Sequence, residues 1–303
     1  MLSVKTYLKI NKAKKLPMMN SVAYLKVLKG YNNAVYKEFQ REKNATLKFL
    51  AVDNVLGKLE DESRKLWPEA WDKNAEKIYK KKVTAKEKAF VSKYIKGWDK
   101  NVKPEKMEKV FNKWNPIAAE MGGNKALSSL GYSLAFHLKD PAMIAELGKR
   151  GTKITGTVSK KTLKDFQKIL VDSYYEKGVS PYEVRKKIKG LFEDTYKNRA
   201  MMIARTETGV ASSTTQFATY KNNRVEKKKW MVLVDDRTRD SHEEMSLVPA
   251  IPVNDFFIVG GHPMLHPHDS AGPAKEVINC RCDLLAVFTT SKLPKPALAW
   301  TGG

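Results

Sequence analysis

All but one of the five histidines and both cysteines lie beyond residue 240, so any chemistry that needs imidazole or thiol is confined to the last part of the chain. Three clusters carry it. Asp235-Asp236-Arg237-Thr238-Arg239-Asp240-Ser241-His242 places acids and an imidazole directly after an apolar run, as metal and acid–base sites do. The same string also reads as a charged turn, its arginines pairing with Asp235 and Asp240. Gly260-Gly261-His262-Pro263-Met264-Leu265-His266-Pro267-His268-Asp269 holds three histidines within seven residues, and Asn279-Cys280-Arg281-Cys282 holds both thiols. Imidazole and thiolate together form the donor set of zinc, so His242, His266, His268, Cys280 and Cys282 are the candidate ligands of a structural zinc. Two arrangements are open: Cys280 and Cys282 with His242, or the histidine cluster alone. The spacing works against the thiols, because structural zinc sites usually separate their cysteines by two to four residues and here only one intervenes. A catalytic version would add Asp236 or Glu243 as base and make the chain a metal-assisted hydrolase or nuclease. Nucleophilic catalysis finds no support: there is no Gly-x-Ser-x-Gly elbow, and no motif sets a histidine against either cysteine. His137, in the apolar stretch Leu134 to Leu138, reads as a core residue.

The elements that must position these groups begin with strands. Trp230 to Val234 is a short apolar run bounded by charge and predicts one; Phe256 to Val259 and Leu284 to Phe288 predict two more. Helices precede them. Ser180-Pro181-Tyr182-Glu183 is a helix start, with Ser180 as cap, Pro181 where a missing amide costs nothing, and Glu183 completing the capping pair. A longer helix is expected from near Asp194 or Thr195 to about Tyr220, with Ala200, Ile203, Ala204, Ala211 and Ala218 forming a small-residue face. Before it, Leu163, Phe166, Ile169, Leu170 and Tyr174 line an amphipathic helix ending near Gly178.

Further upstream, Ala23, Tyr24, Val27, Leu28, Tyr31, Val35, Tyr36 and Phe39 recur at helical spacing, continued by Leu47, Leu50, Val55 and Leu59. Turns are signalled near Trp67-Pro68 and Gly97. Shorter apolar stripes follow at Trp71, Ile78 and Tyr79, at Phe90, Tyr94 and Ile95, and at Val110, Phe111 and Trp114. Pro116, Gly122-Gly123 and Ser128-Ser129 mark a first boundary within Asn115 to Gly131. Tyr132 to Leu147 reads as a short helix and Gly148 to Ser159 as a polar loop or small hairpin. The expectation is a mainly α chain with a small α+β C-terminal domain: a basic helical region over 1–118, a linker helix and polar loop over 119–160, the α+β domain over 161–289, and a flexible tail over 290–303.

Charge divides the chain sharply. The formal net charge is +23 over 303 residues, and the basic excess stops at Trp230: residues 1–229 carry +26 and residues 230–303 carry −3. Such a body attracts polyanions, nucleic acid first among them. No run of about 18 apolar residues occurs, so no membrane span is expected, and the start lacks the apolar core and cleavage site of a signal peptide. Two thiols one residue apart make a poor staple and fit a reducing compartment.

The ordered combination Ala204-Arg205-Thr206-Glu207-Thr208, Lys229-Trp230, Asp235-Asp236-Arg237-Thr238-Arg239 with His242, Phe256 or Phe257, Pro263, His266-Pro267, and Asn279-Cys280-Arg281-Cys282-Asp283-Leu284 resembles the phage head morphogenesis, or minor head protein, family with its Mu F-like minor capsid domain. The resemblance covers roughly residues 165–288. It implies a bacteriophage virion protein of few copies, inside the head near the portal and in the host cytoplasm during assembly. Its partners would be the portal protein, capsid or scaffolding protein, and double-stranded DNA contacted without regard to sequence during packaging or ejection. It implies no catalytic residues; Arg205, Glu207, Trp230, Asp235, Asp236, Arg237, Arg239, His242, Asn279 and Arg281 would serve as structural or interface supports. Some related proteins carry ADP-ribosyltransferase segments, but here Glu243 and Glu244 are adjacent where a Glu-x-Glu pair would be expected.

Overall fold

The structure, a computed structural model, describes residues 22–52, 54–66, 71, 85–173 and 179–288. The expected Trp67-Pro68 turn, Ile78, Tyr79, Tyr174 and the tail after Thr289 lie outside the described residues. Helices come first: α1 (Val22–Val52), α2 (Val55–Leu66), α3 (Ala85–Tyr94), α4 (Trp98–Val102), α5 (Glu105–Ser129), α6 (Pro141–Val171), α7 (Pro181–Gly190) and α8 (Tyr196–Asn222). The remainder is β1 (Lys227–Met231), α9 (Asp240–Glu243), β2 (Ile251–Pro252), β3 (Phe257–Val259), β4 (His262–Met264), α10 (Ala274–Val277) and β5 (Asp283–Val287). The chain is therefore mainly α with a small C-terminal region of short antiparallel strands. The described residues form two compact units, one from those within 22–32, 112–148 and 202–288, the other from those within 33–111 and 149–201.

In the second unit the helical stripes bury as their spacing dictates. Val35, Phe39, Leu50 and Leu59 are buried, and Phe39 packs on Tyr196 with ring centroids 4.7 Å apart. Phe192 meets the edge of Tyr196 at 4.9 Å. Trp98 stacks on Phe166 at 6.1 Å and spends its indole N–H on Thr46 Oγ1 at 3.0 Å, so the largest apolar surface here leaves no polar atom stranded. Ser180 caps α7 through the Glu183 amide at 3.4 Å, as its sequence predicts. A π-helical turn, Leu191–Thr195, then leads directly into α8.

Two expectations fail for one reason. The predicted boundary over Asn115 to Gly131 lies almost wholly inside α5, Pro116 included, and the predicted loop over Gly148 to Ser159 lies inside α6, whereas residues 132–140 are not helical. Glycine in a helix weakens it by only about 1 kcal/mol, which packing can outweigh. In the first unit a Cβ on Gly122 would stand 2.1 Å from the carbonyl oxygen of Ser212, so this glycine lets α5 and α8 approach backbone to backbone. It is a packing residue, not a breaker. Along α6, Leu147, Gly151, Thr155, Val158, Thr162, Phe166 and Leu170 are all buried at helical spacing, the alternation of small and large residues masking the stripe.

The first unit holds the strands. A three-stranded antiparallel sheet runs β2-β1-β5, with Trp230 opposite Leu284 and Met231 opposite Asp283, and β3-β4 form a hairpin. Trp230, Tyr220, Phe257, Val259, Met264 and Leu284 make its core. Strand β1 begins three residues earlier than its apolar run because Lys228 is an inward position: its ammonium donates to the Leu265 carbonyl at 2.7 Å and lies 4.7 Å from the Phe217 ring center. Burial pulls the pKa of Lys228 down to about 8. No described helix is long and apolar enough to cross a membrane.

The second unit also contains a buried acid. Neither carboxylate oxygen of Glu42 has a hydrogen-bond partner among the described residues, and burial raises its pKa to about 7, against the pull of Arg41 and Arg199. The folded protein thus holds the proton more tightly than the unfolded chain, and stability falls as pH rises from the ordinary glutamate range through about 7. Glu42→Gln is expected to leave the unfolding free energy nearly unchanged at pH 5 and to raise it by on the order of 2 kcal/mol at pH 8, as read from urea melts at the two pH values.

Candidate functional site

The site is assembled on α8. Asn279 adopts a left-handed backbone, φ 60°, which asparagine tolerates better than most residues. It is held there from two sides: its amide donates to Thr206 Oγ1 at 2.9 Å, and its side-chain oxygen accepts from Arg205 at 2.5 Å. Thr206 in turn donates to the Met202 carbonyl at 2.8 Å, so its hydroxyl is used in both directions. On the far side of the turn Arg281 forms a bidentate ion pair with Asp235. This guanidinium, aided by amide bonding from Arg237, holds the Asp235 carboxyl well below the usual carboxylate range. Asp235 also caps its own turn, accepting from the Arg237 amide at 2.9 Å while Thr238 Oγ1 donates to the Leu233 carbonyl at 2.6 Å. Arg239 donates to the Ile278 carbonyl. Three sequence segments, around Arg205, Asp235 and Asn279, are thereby tied into one polar cluster.

Inside that cluster sit the thiols. Beyond the turn at Asn279 the Cys282 amide donates to Cys280 Sγ at 3.4 Å, and both side chains are buried. His242, from α9, places Nδ1 3.6 Å from Cys280 Sγ and 3.3 Å from Cys282 Sγ. Its other ring nitrogen lies 3.1 Å from Glu276 Oε2, close but without hydrogen-bond alignment, and Ser241 Oγ donates to the same oxygen at 2.8 Å. Trp230 presents its edge to the imidazole at 5.8 Å. Burial pushes the Cys280 thiol up, but bonding from Cys282 and the charge of Arg239 outweigh it, and the net shift is downward. Cys282, donating to that sulfur and itself buried, is pushed up. A shallow pocket rimmed by Arg237, Arg239 and Arg281 opens over the pair.

Of the expected ligands, His242, Cys280 and Cys282 converge, their donor atoms all within 4.8 Å. His266 and His268 do not join them. His266 packs tilted against Phe217, ring centroids 5.2 Å apart, with Nδ1 2.8 Å from the Pro267 carbonyl oxygen, and burial lowers its pKa. His268 is packed against Gly209, where a Cβ would stand 2.3 Å from the ring, and burial lowers its pKa to about 4. Asp236 and Glu243, the expected bases, are exposed and do not line the pocket. Glu207 is buried on α8 and Trp230 is core. Glu276 and Ser241 were missed by sequence reading: Glu276 lies in a single helical turn with no local signature, and only its burial beside His242 marks it.

Residues 164–285 match the family model for Phage Mu protein F like protein. The C-terminal part of the chain is thus similar to the Mu F-like family, and this supports a phage head morphogenesis protein. The chain is also 34% identical over 114 residues to a protein of Enterococcus faecalis (strain ATCC 700802 / V583) named NAD(+)–arginine ADP-ribosyltransferase EFV, a stretch covering 36% of this chain and 23% of that one. The chain thus spans about a quarter of that relative's length. No solved structure matches.

Because Thr206 is the only described side chain that receives the Asn279 amide, Thr206→Val is expected to cost about 1–2 kcal/mol of stability and Thr206→Ser less than half of that, measured by denaturant unfolding of the full chain.

Proposed function

We propose that this chain is a minor head protein of a tailed-phage virion, placed in the capsid interior at the portal, with its basic helical part contacting packaged DNA without reading sequence. The observation that carries the reading is the Mu F-like match over residues 164–285, which spans the polar cluster around Asn279. That cluster is built as a support: its arginines and aspartates are spent on one another and on backbone carbonyls, and the two expected bases stand outside the pocket.

The DNA part of the proposal is supported by α6. Lys149, Lys153, Lys160, Lys164 and Lys168 are exposed and, at 100° per residue, fall on one side of the helix, opposite the buried stripe from Gly151 to Leu170. They extend over roughly 28 Å at the helical rise. A row of flexible ammonium groups can neutralize successive phosphates as point charges while specifying no base. Capsid and portal contact would fall to the near-neutral C-terminal end, where the charge excess has stopped.

Full-length protein is expected to shift nonspecific duplex DNA at low salt, with affinity falling steeply and log-linearly as salt rises. Replacing Lys149, Lys153, Lys160 and Lys164 by glutamine should reduce the salt slope by about 3 to 4 without altering the circular dichroism spectrum. No shift at low salt would remove the DNA role, and failure of the full chain to co-purify with portal protein or proheads would remove the docking role.

A further inference from the structure

We propose that His242 Nδ1, Cys280 Sγ and Cys282 Sγ bind one zinc ion, with the fourth coordination position occupied by water on the side of the arginine-rimmed pocket. Zinc takes nitrogen at about 2.0 Å and thiolate sulfur at about 2.3 Å in tetrahedral geometry, which puts a nitrogen and a sulfur ligand about 3.6 Å apart. The observed separations are 3.3 and 3.6 Å, so an ion fits between the three atoms with adjustments no larger than a side-chain rotation.

A hydrogen-bonded trio accounts for the arrangement less well. Nδ1 has one lone pair or one proton, yet two sulfurs converge on it within bonding range. One cation between them satisfies all three atoms. The imidazole is also presented as a ligand would be. Glu276 Oε2, itself held by Ser241, stands 3.1 Å from Nε2 and favors the proton on that nitrogen, which leaves the Nδ1 lone pair facing the sulfurs. Metal-bound histidines almost always have an acceptor behind them, a carboxylate, a backbone carbonyl or water. The Cys282 amide directed at Cys280 Sγ supplies a donor to a sulfur carrying negative charge.

Charge closes the case. Binding Zn²⁺ releases the protons of both thiols to solvent, so two thiolates, a neutral imidazole and the dication form a cluster with no net charge, as a buried site requires. The ion would tie α9 to the turn that opens β5, segments separated by about forty residues of chain. The ion is proposed as a crosslink on its surroundings alone: although the fourth position is open, no carboxylate lines the pocket beside it to serve as base.

Full-length protein expressed without added metal and gel-filtered in metal-free buffer is expected to carry close to one zinc per chain by elemental analysis. Cobalt(II) substitution should give the thiolate-to-metal charge-transfer absorption and the intense d–d bands of a tetrahedral site. Cys282→Ser should abolish the charge-transfer intensity arising from one sulfur, and Glu276→Gln, which keeps the fold, should weaken affinity 10- to 100-fold in a chelator competition. Folded wild-type protein with less than about 0.2 metal per chain and no cobalt spectrum would overturn the proposal. So would stoichiometric zinc with no thiolate band, since the ion would then lie elsewhere. If Cys282→Ser does not fold, the wild-type cobalt spectrum decides alone.

Discussion

The left-handed turn at Asn279 is the constraint on which the C-terminal unit depends. It sets the direction in which the chain leaves α10 and enters β5, and so which way the segment Cys280-Arg281-Cys282 faces. Along that segment side chains alternate, so both thiols lie on the inner side and the guanidinium points out to Asp235. A non-glycine residue in this conformation is strained by roughly 1 kcal/mol, and the bonds from Thr206 and Arg205 of α8 offset that cost. The helix therefore does more than pack. It presets the geometry of a turn that lies more than seventy residues later in the chain.

That dependence explains which features were legible in the sequence. The α1 stripe, the Ser180 cap, the extent of α8 and the strands β3 and β5 rest on local spacing and local capping, and they appear where the pattern places them, within a residue or two. The joining of Arg205, Asp235, His242 and Asn279 into one region was legible only as an ordered family pattern, because no single segment contains the reason for it. Features set by distant partners were read wrongly. Gly122 looks like a breaker until Ser212 is seen against it, and the start of β1 was hidden by a lysine that is charged in the sequence and buried in the fold. The sequence could not choose between the two histidine and cysteine groupings because the meeting of His242 with Cys280 and Cys282 is set by packing between segments about forty residues apart.

The charge division at Trp230 has a physical counterpart in how each part treats its cations. Along α6 the lysines stand in water on the face opposite the buried stripe, where solvation costs nothing and their field is available to a polyanion. Past Trp230 the arginines are engaged: Arg281 with Asp235, Arg239 with a backbone carbonyl, Arg237 with Asp235 and Asp236. Their planar, many-donor heads suit this, and a lysine in any of these places would leave acceptors unmatched. The same sign of charge thus supports two different tasks, and side-chain geometry distinguishes them where net charge does not.

The histidines make the parallel point. His266 and His268 are as deeply buried as His242, and for both of them burial is the largest influence and drives the pKa down. What singles out His242 is the pair of groups at its two nitrogens, a buried carboxylate on one side and two sulfurs on the other. Three histidines near each other in sequence suggested a donor cluster, but strand β4 and the turn after it carry His266 and His268 into apolar packing against Phe217 and Gly209. Proximity along the chain measures only the chance of meeting. The group at the second ring nitrogen separates an imidazole that only packs from one held in a defined orientation, and among the described residues the buried carboxylate of Glu276 takes that place beside His242.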